Sequence, residues 1–465
     1  MNQSRKSLAF PIALAATLIL FVVPQLRADL FTPGDLIVTA YGKAGPATSQ
    51  GAPTVINLIE YSTAGGSPIL TNNLPTVNGI GNPANLGVVG QYGSGSEGNI
   101  QLSGNGQYLT LAGYSATAAA AGIQASTNTA NGTNFAIGTA FSSSTVSLAQ
   151  STAANVPRLA VTVDIDGNVN STTVLNDIFN TNNPRSVYSP TGSNFYISGQ
   201  GDGNNSDQGI FYGPIGLNTV SSPSTPPTGI YNNQNTRFVT AFSNNLYYSS
   251  DTSSGSHTGV FKFTGLPTSS ANPTEITPPN NGLSGASEVF YSPDGFYFAN
   301  STTLYIADTG QPKAAPTNGA TVPDDGGIQK WTFNGSAWSL AYTLTPTSTG
   351  WLQPGYPATS TAGQTGFAAI TGEIVGSGPS AQVDLFAVSD TLGGSDPNGL
   401  YSITDTLNST TSAGDSFTEL ESAPGNGGQS FKGVSFAPTS IPEPTTTLLL
   451  TVATMLLFQR RRHPL

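Results

Sequence analysis

The chain has 465 residues, 54 of them glycine, no cysteine and a formal charge of −11. Between Asp29 and Ser440, eight Lys and Arg face 24 acids, so this body sits near −16, which argues against nucleic acid as a partner. With no cysteine and His257 as the body's one histidine, zinc and copper lack their usual ligands, and a Ser-His-Asp site has no Gly-x-Ser-x-Gly elbow to support it.

The chain opens with Arg5 and Lys6, an apolar run over 8–23 and a small residue, Ala28. This pattern predicts a secretory signal peptide over 1–28, which is excluded from the fold. Beyond it, no stretch sustains the apolar spacing of a helix. Short β-branched and aromatic runs, punctuated by Asn-Gly, Asp-Gly and Gly-Gly, predict an all-β chain.

One unit recurs along 29–440: a strand ending in a small or acidic residue, a polar loop, then a second strand usually opened by glycine. The pairs are Asp35–Gly42 with Thr54–Ser62, Tyr108–Tyr114 with Arg158–Asp166, and Phe195–Gly199 with Gly209–Tyr212. They continue with Leu246–Asp251 and Gly259–Phe263, Leu304–Asp308 and Gly327–Trp331, and Leu385–Asp390 and Gly399–Ile403. A further strand precedes each pair, with tight hairpins read at Ser103–Gly106, Ser189–Gly192 and Ser292–Gly295. A weaker outer strand follows, as at Thr274–Thr277, Trp338–Leu344 and Phe417–Glu421. Four antiparallel strands per repeat predict a six-bladed β-propeller. The orphan strand Phe431–Pro438 is expected to close the ring beside Asp35–Gly42, which removes exposed edges. Seven blades is the alternative, if the uncharged segment Ser115–Asn155 holds strands; that segment also reads as a loop or lid.

The chain ends with Pro442-Glu443-Pro444, three threonines, an apolar run over Leu448–Phe458, and Arg460-Arg461-Arg462. The run is shorter than the roughly 20 residues of an ordinary spanning helix, and the arginines would stay cytoplasmic. Residues 441–465 resemble the PEP-CTERM sorting signal of bacterial surface proteins. That resemblance implies recognition by an exosortase, a hydrophobic sorting helix held in the membrane, and delivery to the cell surface or extracellular matrix. It also implies an exopolysaccharide setting, with other surface proteins as further partners. A permanent C-terminal anchor is the alternative. Leu304–Gly310 resumed at Gly327–Trp331 resembles an interrupted NHL repeat. Gly34–Val38 and Gly433–Pro438 resemble the first and last strands of a group of PEP-CTERM propeller proteins.

Acids gather in the loops within the strand pairs: Asp202 and Asp207; Asp251; Asp308, Asp324 and Asp325; Asp390 and Asp396. Equivalent loops of successive blades emerge on one face, so Asp251, Asp308, Asp325 and Asp390 are expected to ring a mouth of the channel and to suit calcium. Ordinary turn chemistry explains the same residues without a metal. Asp164–Asn168 lacks the later ligands of an EF-hand and reads as a hairpin turn. Trp331 and Trp338 are expected between blades, and Trp351 as an exposed stacking platform. These features favour a binding or structural role over catalysis. The alternative is a secreted glycan hydrolase or lyase using carboxylates or calcium in the mouth.

Overall fold

The computed structural model describes residues 30–42, 48–116, 147–203, 206–217, 226–232, 234–252, 257–278, 292–310, 326–346, 351–352 and 362–440. Residues 1–28, read above as a signal peptide, and 441–465, read as a sorting signal, lie outside them. Regular structure among the described residues is all strand apart from one short turn of 3₁₀ helix, Gly378–Ser380. No described helix is long and apolar enough to cross a membrane.

The described strands form six antiparallel sheets, the six-bladed arrangement expected. From the inside outward, blade 1 is Ser430–Phe436, Leu36–Tyr41, Ile56–Tyr61 and Leu70–Asn73. Blade 3 is Pro184–Tyr188, Asn194–Gly199, Gly209–Pro214 and Thr228–Asn232. Blade 4 is Thr236–Phe242, Asn245–Thr252, His257–Lys262 and Thr274–Glu275. Blade 5 is Pro293–Asn300, Thr303–Asp308, Gly327–Phe333 and Trp338–Leu344. Blade 6 is Gln364–Val375, Gln382–Thr391, Asn398–Thr406 and Thr418–Ala423. Blade 2 departs from the plan. Its inner place is shared by Ile100–Leu102 and Val88–Gln91, both paired with Tyr108–Ser115, and Pro53–Thr54 adds to Val88–Gln91. Arg158–Asp164 and Val169–Leu175 complete it.

The ring closes as expected. Leu36 pairs with Phe436 and Tyr41 with Ser430, with one register shift at Thr39/Ala40. The closure strand also packs against Ile100–Leu102 and Gln364–Val375, so each inner strand touches its neighbours around the channel. Middle strands such as Leu36–Tyr41 and Ile56–Tyr61 are buried at every residue. The cause is face-to-face packing of the blades: both faces of a sheet meet another sheet, so the alternation of a half-solvated strand is lost.

The core is therefore a set of clusters between blades. Trp331, fully buried, packs with Leu304 and Ile306 of its own blade and with Phe238 and Tyr247 of blade 4. Trp338 stands beside Phe298 and Phe333. Trp351 is a correction. It is only 8% exposed, its ring 5.1 Å from Phe367 and 5.4 Å from Tyr401, and so offers no free stacking face. The Thr/Gly/Pro context hid this, because the partners come from blade 6.

The Asp164–Asn168 turn is a hairpin: Asp164 Oδ1 accepts from the Asn168 amide at 2.8 Å, and Gly167 takes φ 75°. The Ser103–Gly106 and Ser189–Gly192 turns are also present. Ser292–Gly295 is not a hairpin. It is the start of the inner strand of blade 5, whose turn falls at Ser301 and Thr302 instead.

The insertion in blade 2 is described only at its roots. Leu148, Ala149 and Val156 pack on Val89, Tyr114 and Ala116. The buried Arg158 guanidinium donates to the carbonyls of Val156, Ala149, Ser151 and Asn182, tying the root to the blade. At the ends of the body, the Leu30 amide donates to Ile165 O at 3.0 Å and the Thr439 amide to Gly106 O at 2.8 Å.

Candidate binding site at the channel mouth

In every blade the chain runs in the same sense, so loops joining the second and third strands share one face with the starts of the inner strands. The register shows it in blades 4 and 5, where Asp251 sits opposite Thr258 and Asp308 opposite Gly327 of the third strands; in blade 6 Asp390, near the end of the second strand, sits opposite Gly366 of the inner strand. At this face a cavity of about 390 Å³ opens, walled by Arg237, Asp251 and Asp390, by the glycine loops at 93–96 and 393–394, and by Thr309 and Gly310.

Its charged wall starts from Arg237, the second residue of an inner strand. The guanidinium pairs with Asp251 and, at 3.2 Å, with Asp294. Ser292 Oγ donates to Asp251 at 3.1 Å, and Asn99 Nδ2 to Asp294 at 3.2 Å. Burial works against the Asp251 carboxylate, but Arg237 outweighs it and holds the group below the usual range. Asp294 goes the other way. It is 1% exposed, and there burial outweighs the same guanidinium and raises the carboxyl. Burial also lowers Arg185, with Arg237 adding to the effect, to about 10. Arg185 donates instead to Gln200 Oε1 at 2.9 Å and to Thr236 O at 3.1 Å.

Asp390 has no such partner. Burial pushes it up to about 6, against the Thr391 amide and Lys432. Behind it lies a pocket of about 10 Å³, room for about one water, lined by Glu97, Asp294, Asp390 and Lys432. Burial raises Glu97 to about 7, although Tyr114 Oη donates to it at 2.7 Å and the Gln91 amide at 3.1 Å. Lys432, on the closure strand, is lowered by burial to about 8. Its ammonium donates to Ser94 O at 2.8 Å and Gly394 O at 2.9 Å, pinning both glycine loops of the cavity rim.

The expected acids are thus partly brought together. Asp251 and Asp390 wall one cavity. Asp308 is used as a loop cap: it accepts from the Ser292 amide at 2.8 Å, the Gly310 amide at 2.9 Å and Gln329 Nε2 at 3.1 Å. Asp396 likewise accepts from the Gly393 amide at 2.9 Å. Asp324 and Asp325 lie outside the described residues. Among the described residues, no three His, Cys, Asp or Glu side chains gather in a metal-holding group. The excess of acids over bases in the body does not carry over to the mouth, where Arg237 pairs with both Asp251 and Asp294. The signal was in the sequence: Arg185, Arg237 and Lys432, three of the body's eight basic residues, all lie on inner strands. Glu97 and Asp294 were missed outright, Asp294 because it was read as a turn residue.

No family model matches the chain, and no curated protein matches it. Several solved structures are distantly similar. A chain of a nidogen/laminin complex is 9% identical, with 88% of this chain and 99% of that one covered and a TM-score of 0.38. TolB from Acinetobacter baumannii is 9% identical over 87% of this chain and 67% of that one, TM-score 0.36. An exo-β-1,3-galactanase from Clostridium thermocellum is 12% identical over 75% and 66%, TM-score 0.30. Likeness at this level carries no argument about activity, and the six-bladed fold rests on the sheet topology.

Proposed function

We propose that this chain is an exported propeller that binds a small polar solute, with extracellular glycan as the class, in the channel mouth. The observation that carries the reading is the 390 Å³ cavity with Arg237, Asp251 and Asp390 in its wall. Its volume is within the range of small-molecule sites, and its charged groups are held before any ligand arrives. Carboxylates and loop amides suit the alternating acceptors and donors of hydroxyl groups. Delivery by the PEP-CTERM route, with exosortase as partner, is supported by the order of Pro442-Glu443-Pro444, the apolar run Leu448–Phe458 and Arg460-Arg461-Arg462. The test is a glycan array followed by calorimetry on the purified protein, with calcium and with chelator, since calcium at Asp251, Asp308, Asp325 and Asp390 is part of the same proposal. Asp251→Asn and Asp390→Asn should each weaken binding about tenfold, roughly 1.4 kcal/mol. Binding that is unchanged in both variants would place the ligand elsewhere.

A second reading is favoured by one further observation. Asp390 keeps its proton to about pH 6, while Asp251 in the same cavity is held ionised by Arg237. Two carboxyl groups with opposite protonation are what glycoside cleavage uses. A turnover screen between pH 5 and 6.5 would show it, with Asp390→Asn inactive.

A further inference from the structure

A second place on the same face is independent of the mouth. In blade 3, Gly201, Asp202 and Asp207 lie against the segment 179–182. The Phe179 amide donates to Asp207 O at 2.6 Å, Asn182 Nδ2 to Gly201 O at 3.2 Å, and Asn180 Nδ2 to Asp202 Oδ2 at 3.3 Å. Asp207 is only 5% exposed. Its Oδ2 accepts from the Asp202 amide at 3.2 Å, but its Oδ1 is buried with no hydrogen-bond partner. That oxygen lies against Gly201, where a side-chain carbon would come within 2.1 Å of it.

A buried carboxylate oxygen without a donor is costly, and here a second carboxyl aggravates it. Burial first, and then the charge of Asp202, raises the proton affinity of Asp207, against the Asp202 and Asn180 amides. Among the described residues no ion pair reaches Asp207. Arg158 feels its charge but gives its hydrogen bonds to carbonyls. Such a pair is relieved by a proton or by a hard cation.

We infer that Asp202 and Asp207 bind a calcium ion on the rim of blade 3. Asp207 Oδ1 and the Asp202 carboxylate supply the charge, and the Gly201 carbonyl and water complete an oxygen shell. Calcium tolerates such an irregular and partly hydrated set, whereas magnesium demands a near-ideal octahedron. Gly201, Asp202 and Asp207 are already anchored to 179–182, which lowers the cost of gathering them on an ion. None of these residues walls the mouth cavity.

The test is calcium titration of the chelator-stripped protein by calorimetry, with melting curves at fixed ionic strength and magnesium as control. The wild type should bind calcium and melt higher in it. Asp202→Asn and Asp207→Asn should each weaken calcium binding by about tenfold or more. Asp202 is exposed, so its variant keeps the fold even if the Asp207 variant does not. In chelator, Asp207→Asn should melt above the wild type, because the carboxylate repulsion is gone. The inference is overturned if the wild type binds no calcium up to about 10 mM, above the range of extracellular calcium modules. It is also overturned if Asp202→Asn titrates like the wild type, or if Asp251→Asn abolishes the binding, which would put the ion in the mouth.

Discussion

Asp390 shows what a single residue contributes at the mouth. Its folded-state value of about 6 lies above the ordinary 3.8, so the folded protein takes up this proton first as pH falls. Stability therefore rises as pH falls from about 6 toward 4, and the penalty for the ionised group is fully present above 6. Asp390→Asn should flatten that slope and, with solvent at the cavity rim softening the effect, stabilise the protein at pH 7 by about 1–2 kcal/mol. Melting curves at several pH values check this. The slope that remains belongs to Glu97, which moves in the same direction up to about 7. A variant with the wild-type slope between pH 4 and 6 would refute the assignment. The acids of the mouth were legible in the sequence because hairpin loops need Asp in any case, and the topology placed them. Their partners were not. Asp294 follows a proline and precedes a glycine, which is the composition of a turn, and only the sheet register shows it inside the channel. Arg237 and Asp251 are near in sequence, but their ion pair depends on two strands being neighbours.

Among the elements, the closure strand links the most distant parts of the chain. Ser430–Phe436 hydrogen-bonds to Leu36–Tyr41, and Phe431 and Val434 join the cluster of Leu36, Val38 and Ile59. Lys432 of the same strand holds both glycine loops of the cavity. A chain ended after Ser440 should melt cooperatively, and one ended before Ser430 should not, since blade 1 would lose its inner strand and expose an edge. Circular dichroism during heating separates the two outcomes. The six strand pairs were readable because each obeys the same local pattern and one unpaired strand stood at each end of the count. Blade 2 was less readable. Its inner place is split between two short strands, and only Ile100–Leu102 runs into a repeat hairpin, at Ser103–Gly106. Trp351 failed for a different reason: a residue in a loop-like context can still be covered by a neighbouring blade, and local composition does not report that.

For the whole molecule, the sorting reading turns on the cationic end of the chain. Replacing Arg460, Arg461 and Arg462 should leave the precursor trapped or misplaced, because cationic flanks fix the orientation of a short apolar segment. Cell fractionation with mass measurement follows it, and release of the variant with unchanged mass and timing would refute that role. The ring itself has a polarity. The first described residue hydrogen-bonds to a turn between the outer strands of blade 2, and Thr439 to the turn after its inner strand, and these turns lie on the face away from the cavity. A propeller tethered by either end is therefore held by its back. If the proposed surface delivery holds, many copies would stand like cups set upright, each opening toward the medium, so solutes would reach the mouth from the side away from the tether.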